Sequence, residues 1–192
     1  MSGKSRAFEN SKAQKEFSTD PIERLEFYHK ITPWVTLRKA VAKDREMIFG
    51  WRNIGELVAL SRSGKSVTWE EHCKWFRSVL SRDDTLLFIV SLKGIPIGQV
   101  RFDREDDRRF EVSIYLLPQY TGKGLGVLAL KTACRLAFRR VNVHEIRATI
   151  RADNALSISA FKKAGFSQSE SFNADSDPEF RVLSIEREPK KV

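Results

Sequence analysis

FEVSIYLLPQYTGKGLGVLALKTACRLAF, residues 110–138, carries three local signals in a row. FEVSIYLL (110–117) is a β-rich apolar run, PQYTGKGLGV (118–127) has glycines at 122, 124 and 126, and from 124 the apolar residues recur at helical spacing to about Arg140. A glycine-rich turn that opens a helix points backbone N–H groups outward at the positive end of the helix dipole. With no side chains in the way, an anion such as a pyrophosphate can come close. HEIRATI (144–150) is another β-rich run, so strand, helix and strand make one βαβ unit with parallel strands.

Before this unit, TLLFIVSL, a Lys-Gly turn and IPIGQVRFD read as a hairpin, and the charged turn REDDRR leads into FEVSIYLL, giving three consecutive antiparallel strands. TWEEHCKWFRSVL (68–80) predicts a helix: Thr68 and Glu71 form a capping box, and Trp69, Cys73, Phe76 and Leu80 form an apolar stripe. KDREMIFGWRN reads as a helix with Met47, Ile48 and Trp51 on one face, after a strand in WVTLRKAV (34–41). Beyond the βαβ unit, NALSISAFKKAG is a helix ending at Gly165, and SQSESF and FRVLSIER close the sheet as an antiparallel pair. The fold class is therefore α/β: a mixed central sheet, antiparallel strands plus one central parallel pair, flanked by helices. Residues 1–19 read as a mobile tail, and Asp20, Pro21 and Glu23 open a short peripheral helix.

A chain of 192 residues, 41% of them apolar, suits one domain of ordinary size. Lys and Arg number 34 against 25 Asp and Glu, a net charge of +9 that favours anionic partners such as a phosphorylated cosubstrate, a nucleotide-linked substrate or nucleic acid. Cys73 and Cys134 stand far apart and outside any CxxC or His-rich cluster, which supports neither a disulfide framework nor a metal site and suggests a reducing cytoplasm. No 18-residue apolar run and no secretory-type apolar segment is visible, so neither membrane insertion nor export is expected.

Two phosphate-binding patterns fail in detail. GKS at 64–66 has Ala59 where a P-loop needs its first glycine, and a dinucleotide fingerprint counted from Gly122 meets Val127 at its last position. YTGKGLG, the helix, HEIRATIRADN and NALSISAFKKAGF, in this order, resemble instead the GCN5-related N-acetyltransferase (GNAT) family over about residues 34–187. The resemblance implies an acyl-CoA N-acyltransferase fold and a loop over Thr121, Gly122, Lys123, Gly124, Leu125 and Gly126 that binds the pyrophosphate of acetyl-CoA. It further implies that Ile114 and Leu116 offer backbone groups to the pantetheine chain where their strand splays from HEIRATI, and that Asn154, Ser157 and Phe161 line the cosubstrate. Two positions depart from the family pattern: Thr121 stands at a usual Gln or Arg, and Phe161 at a usual tyrosine. Residues 1–33 are then an N-terminal extension, 34–187 the acetyltransferase domain and 188–192 a tail.

Direct attack of an amine on a thioester is the implied chemistry, with no metal. A lysine-like amine of pKa about 10.4 is neutral about once in 10³ to 10⁴ molecules at pH 7, so a proton acceptor helps. Glu111, on the strand before the loop, and His72, on the helix expected to flank the acceptor cleft, are the two candidates for the base, and Ser157 and Tyr120 are the hydroxyls nearest the leaving thiolate. For the acceptor, GWRN, SVTWEEHCKWF and IGQVRFD look like the subgroup that acetylates nucleotide-linked aminosugars of the pseudaminic acid type and, less closely, the ribosomal-protein alanine acetyltransferases. Trp51, Trp69, Trp75 and Phe102 could stack on a uracil or sugar ring, Arg52 could meet a diphosphate, and Asn53 and His72 complete the expected acceptor contacts. N-terminal acetylation is the alternative activity; a non-catalytic acetyl-CoA sensor or a nucleic-acid-binding module is the alternative of another class. Nucleic acid is expected to bind only non-specifically, and the chain to be a monomer or homodimer.

Overall fold

The structure, a computed structural model, describes residues 35–169 and 178–188. The expected tail and short helix before residue 34, and the second half of SQSESF, lie outside the described residues. The described residues open with β1 (Val35–Lys39), a 3₁₀ turn (Ala42–Asp44), α1 (Arg45–Arg52), a five-residue helix α2 (Gly55–Ala59) that the sequence pattern did not reveal, and α3 (Trp69–Ser81). Then come β2 (Thr85–Leu92), β3 (Ile95–Arg104), β4 (Arg109–Leu116), a 3₁₀ turn (Pro118–Tyr120), α4 (Leu125–Arg140), β5 (Glu145–Arg151), α5 (Ala155–Ala164), β6 (Ser167–Gln168) and β7 (Phe180–Glu186).

The seven strands lie in the order β1-β2-β3-β4-β5-β7-β6. Every neighbouring pair is antiparallel except β4 and β5, which α4 connects in parallel. This is the mixed sheet the sequence predicts, with β7 inserted between β5 and β6.

Both faces of the sheet are covered. Phe88 and Val90 of β2, Val100 and Phe102 of β3, and Phe110 and Val112 of β4 pack with Ala129, Leu130, Ala133, Cys134 and Ala137 of α4 and Phe161 of α5. The small alanines of α4 let that helix lie close to the strands. On the opposite face Leu87 and Ile89 of β2 meet Ile48 and Trp51 of α1 and Phe76 and Val79 of α3. Burial on both faces explains why TLLFIVSL is continuously apolar.

Thr68 caps α3 as expected: its hydroxyl accepts from the Glu71 N–H, and the Glu71 carboxylate accepts from the Thr68 N–H at 2.8 Å. The predicted stripe is displaced, however. The buried residues of α3 are His72, Phe76 and Val79, while Trp69 is exposed. The physical reason is a hydrogen bond from His72 Nε2 to the Arg45 carbonyl at 2.8 Å, which satisfies the imidazole inside the α1–α3 contact. Trp69 moves to the flank, edge-on to Phe49 and under the Arg45 guanidinium.

Gly98 of β3 faces the end of β4. A Cβ there would run into the Tyr115 carbonyl and come within 2.8 Å of the Leu116 Cα, so only glycine lets the strands meet at this point.

Candidate active site

Between β4 and β5 only three residue pairs are in register: Arg109 with Glu145, Phe110 with Ile146, and Glu111 with Arg147. β4 continues to Leu116 and β5 to Arg151, so the strands part after Glu111 and leave a fork in the middle of the sheet. Backbone groups of Val112–Leu116 on the β5 side are released from the ladder, as an extended amide-bearing chain such as pantetheine requires. Ile114 and Leu116 lie on this stretch, with Leu116 buried.

The glycine loop stands at the end of that fork. Gly122 and Gly124 have φ of +72° and +76°, a region that side chains disfavour, and nothing lies within 4 Å of where their Cβ atoms would be. Gly124 is the N-cap of the 16-residue α4 and offers no side-chain cap, so first-turn N–H groups remain for an outside acceptor. Backbone geometry and open space here fit a pyrophosphate. Thr121 donates its hydroxyl to the Pro118 carbonyl at 2.8 Å, and Lys123 Nζ donates to the Gln119 carbonyl at 2.8 Å. Both side chains thus shape the loop, with Lys123 exposed beside it. Leu125 and Gly126 begin α4, and Gly126 would place a Cβ 3.8 Å from Leu116 Cδ1, in ordinary contact.

Asn154 accepts from the Ser157 N–H at 3.0 Å and so caps α5. Ser157 is half-buried in its first turn, and Tyr120 packs partly buried against the core below the loop. Phe161 is a core residue: its ring is 2% exposed and stands edge-on to Phe166 at 4.9 Å. The ring is therefore held by packing, whatever else it touches at the cosubstrate side of α5. Cys134 is core as well, its thiol pushed up to about 12 by burial.

Glu111 is the last paired residue of β4, at the branch of the fork. Its carboxylate accepts from Arg62 Nη2 at 2.7 Å, with side-chain exposures of 26% and 62% respectively. Asp103, opposite it on β3, pairs with Arg101 at 2.7 Å. Alternation puts Gln99, Arg101 and Asp103 of β3 and Glu111, Ser113 and Tyr115 of β4 on the face covered by α1 and α3. Trp51 stands edge-on to Tyr115 at 6.4 Å, and the Arg101 guanidinium lies 5.4 Å above the Trp75 ring.

The structure places three of the expected acceptor contacts in packing or loop-holding positions. Phe102 points to the other face of the sheet, 0% exposed, between Phe88 and Phe110. Asn53 spends both ends of its amide on Val67, donating to its carbonyl at 3.0 Å and accepting from its N–H at 2.8 Å, which fixes the loop after α2. His72 is 2% exposed among Phe49, Trp69, Trp75 and Phe76. Burial depresses its pKa, and the bond to the Arg45 carbonyl offsets this only in part. A carbonyl can only accept, so the Nε2 proton is held there, and the ring is a packing element of α3 instead of an open base.

Sequence reading missed Arg62, Gln99, Arg101 and Tyr115. The signal was present in the strand period: polar side chains at every second position of β3 and β4, opposite buried apolar ones, mark a polar patch under the helices. Arg52 Nη1, Gln99 Oε1 and Tyr115 OH are buried atoms without a hydrogen-bond partner, and each such atom costs about 1–3 kcal/mol. Burial also raises the Tyr115 phenol well above its ordinary pKa, against the opposing charges of Arg52 and Arg101.

A match to the acetyltransferase (GNAT) domain model covers residues 35–167, and the chain belongs to that family. It is 32% identical to spermidine N(1)-acetyltransferase of Escherichia coli (strain K12) over 82 residues, 42% of this chain and 44% of the relative, so the likeness spans under half of that protein's length. Among solved structures, aminoglycoside acetyltransferase AAC(6')-Ib in complex with coenzyme A superposes with a TM-score of 0.69 at 23% identity, covering 80% of this chain and 95% of that one. The Campylobacter jejuni N-acetyltransferase PseH superposes with a TM-score of 0.61 at 18% identity, covering 81% and 100%. Among the described residues no cluster of three or more His, Cys, Asp or Glu could hold a metal ion, and no helix is long and apolar enough to cross a membrane.

Proposed function

We propose that the protein moves the acetyl group of acetyl-CoA to a primary amine, and that the amine belongs to a nucleotide-linked aminosugar. Family membership and the fork ending at the glycine loop support the first part. Acetyl-CoA supplies the activated thioester, and the chain's own residues do the rest. Gly122, Gly124 and the first turn of α4 hold the pyrophosphate. The freed edge of β4 aligns the pantetheine chain along the fork, toward Glu111. Glu111 takes the amine proton, directly or through water, once Arg62 releases it; Tyr120 and Ser157 are the hydroxyls available to the departing sulfur.

The observation that carries the acceptor class is the composition of the α1/α3 face: three cations, Arg52, Arg62 and Arg101, against two carboxylates, Glu111 and Asp103, which pair with Arg62 and Arg101, all beside the rings of Trp51, Trp75 and Tyr115. Cations and rings suit a phosphate-bearing, ring-containing acceptor. A polyamine is the second reading, favoured by the partial likeness to spermidine N(1)-acetyltransferase. The test measures acceptor-dependent release of CoA thiol with a uridine-diphosphate aminosugar, spermidine and an N-terminal peptide. Turnover of the aminosugar at the highest kcat/KM supports the first reading, and of spermidine the second. Acetyl-CoA binding with no release from any amine would favour a non-catalytic sensor.

A further inference from the structure

Three buried polar atoms without partners belong to one neighbourhood. Gln99 and Tyr115 are directly opposite each other on β3 and β4, and Tyr115 feels the charge of Arg52. Gln99 is 6% exposed, so its unpaired carbonyl is well inside the protein. Native proteins rarely leave such groups idle, and where several converge a ligand or water normally completes them.

The loop between α2 and α3 touches this neighbourhood and the Glu111 carboxylate together. Ser63 Oγ accepts from Arg52 Nη2 at 3.2 Å, while Arg62, the preceding residue, grips Glu111 at 2.7 Å and lies 6.0 Å from the Phe180 ring of β7. Asn53 ties the far end of the loop at Val67. The Arg52–Ser63 and Arg62–Glu111 bonds are side-chain contacts at exposed positions, which open readily.

We infer that Arg52, Gln99 and Tyr115 form a recognition subsite for the acceptor's scaffold, and that Arg62 and Ser63 are the latch that uncovers this subsite and Glu111 in one motion. The chemistry of the three atoms defines the occupant. Arg52 Nη1 can only donate, Gln99 Oε1 can only accept, and the protonated phenol can do either. A group with adjacent donors and acceptors, a sugar diol or the imide edge of a pyrimidine, satisfies all three. A polyamine would satisfy Gln99 and Tyr115 but would set an ammonium charge beside Arg52. This subsite rests on the acetyl-transfer reading and gives it a substrate class: amines carried on a hydroxylated or nucleotide scaffold.

Tyr115→Phe is the diagnostic variant, because removing an unpaired buried hydroxyl relieves the free protein. Its melting temperature should equal or exceed that of the wild type. Titration of a uridine-diphosphate aminosugar into CoA-saturated protein should show at least tenfold weaker binding to Tyr115→Phe than to wild type, with CoA affinity the same in both. Arg62→Ala, which opens the latch, should keep CoA affinity and speed the association of the aminosugar severalfold. A wild type that binds CoA but not the aminosugar, equal aminosugar binding by Tyr115→Phe, or a melting temperature lowered by several degrees in that variant would each overturn the subsite. Failure of the wild type to bind CoA would instead remove the acetyl-transfer reading beneath it.

Discussion

Replacing Glu111 by glutamine removes a proton acceptor and one half of an ion pair while keeping the side chain's shape, and the two losses differ in size. The pair with Arg62 is solvent-facing, its arginine 62% exposed, so it contributes about 0–1 kcal/mol to stability. In a chain of this size that shifts the melting temperature by about 2–4 °C at most. The chemical loss is larger. Neutralising an amine as basic as lysine at pH 7 costs about 4–5 kcal/mol, less for a sugar amine whose neighbouring oxygens withdraw electrons, and a positioned base recovers about 10²- to 10⁴-fold in rate. CoA-thiol release should therefore fall about 10²-fold or more in kcat at pH 7. The deficit should shrink toward pH 9–10, where solvent supplies more free amine, roughly tenfold per unit. Acetyl-CoA affinity, measured by calorimetry, should stay within about twofold, since the carboxylate lies on the α1/α3 face of the sheet and pairs there with Arg62. His72→Gln is the control: with its ring packed and bonded to Arg45, that change should lower the melting temperature and leave the pH profile of kcat in place. A kcat loss under about threefold for a folded Glu111→Gln, or a loss independent of pH, would refute the base and leave positioning as the source of catalysis.

Asp44 is buried, accepts from Arg38 through both oxygens at 2.7 Å and caps the Val41 N–H at 2.8 Å. Burial alone would raise its pKa, but the Arg38 and Val41 bonds prevail and hold it below the usual carboxylate range. Its stabilisation is then fully present above about pH 4, the unfolded value, and fades as pH falls through the lower folded value. Asp44→Asn should cost about 2 kcal/mol at pH 7 by chemical denaturation and flatten the acid limb of the stability profile; an unchanged limb would contradict this. Gly98→Val should destabilise by about 3 kcal/mol or more, because its Cβ meets backbone that cannot step aside. Denaturant midpoints within experimental scatter of wild type would show that β3 and β4 can separate there.

Most of the scaffold was legible because its signals are local. The Thr68–Glu71 box, the hairpin turn at Lys93–Gly94, the glycines opening α4, the continuous apolar run of β2 and the strand period of β3 and β4 each act within a few residues. The face that α3 buries was not legible: His72 goes inside because a carbonyl 27 residues earlier accepts its proton, a partner no helical period can reveal. Phe102 was misplaced for the opposite reason. Its neighbours Arg101 and Asp103 mark one side of β3 as polar, so strict alternation sends Phe102 into the core. The Arg62–Glu111 contact joins residues 49 apart, across a loop whose course depends on Asn53 and Val67. Side chains in that position are found only when the fold is in hand.

The glycine loop decides whether this chain handles acetyl-CoA where the fork ends, and Gly124→Glu tests it directly. Gly124 has φ of +76° with open space beside it, so a glutamate there costs about 1 kcal/mol of backbone strain and meets no atom. Its carboxylate would sit at the N-terminus of α4, where negative charge favours the helix, yet it would fill and repel the site of the pyrophosphate. Calorimetry should show micromolar binding of acetyl-CoA to the wild type and at least about 100-fold weaker binding, or none, to the folded variant. Equal affinity in the two proteins, with the variant melting within a few degrees of the wild type, would contradict a cosubstrate site at residues 121–126.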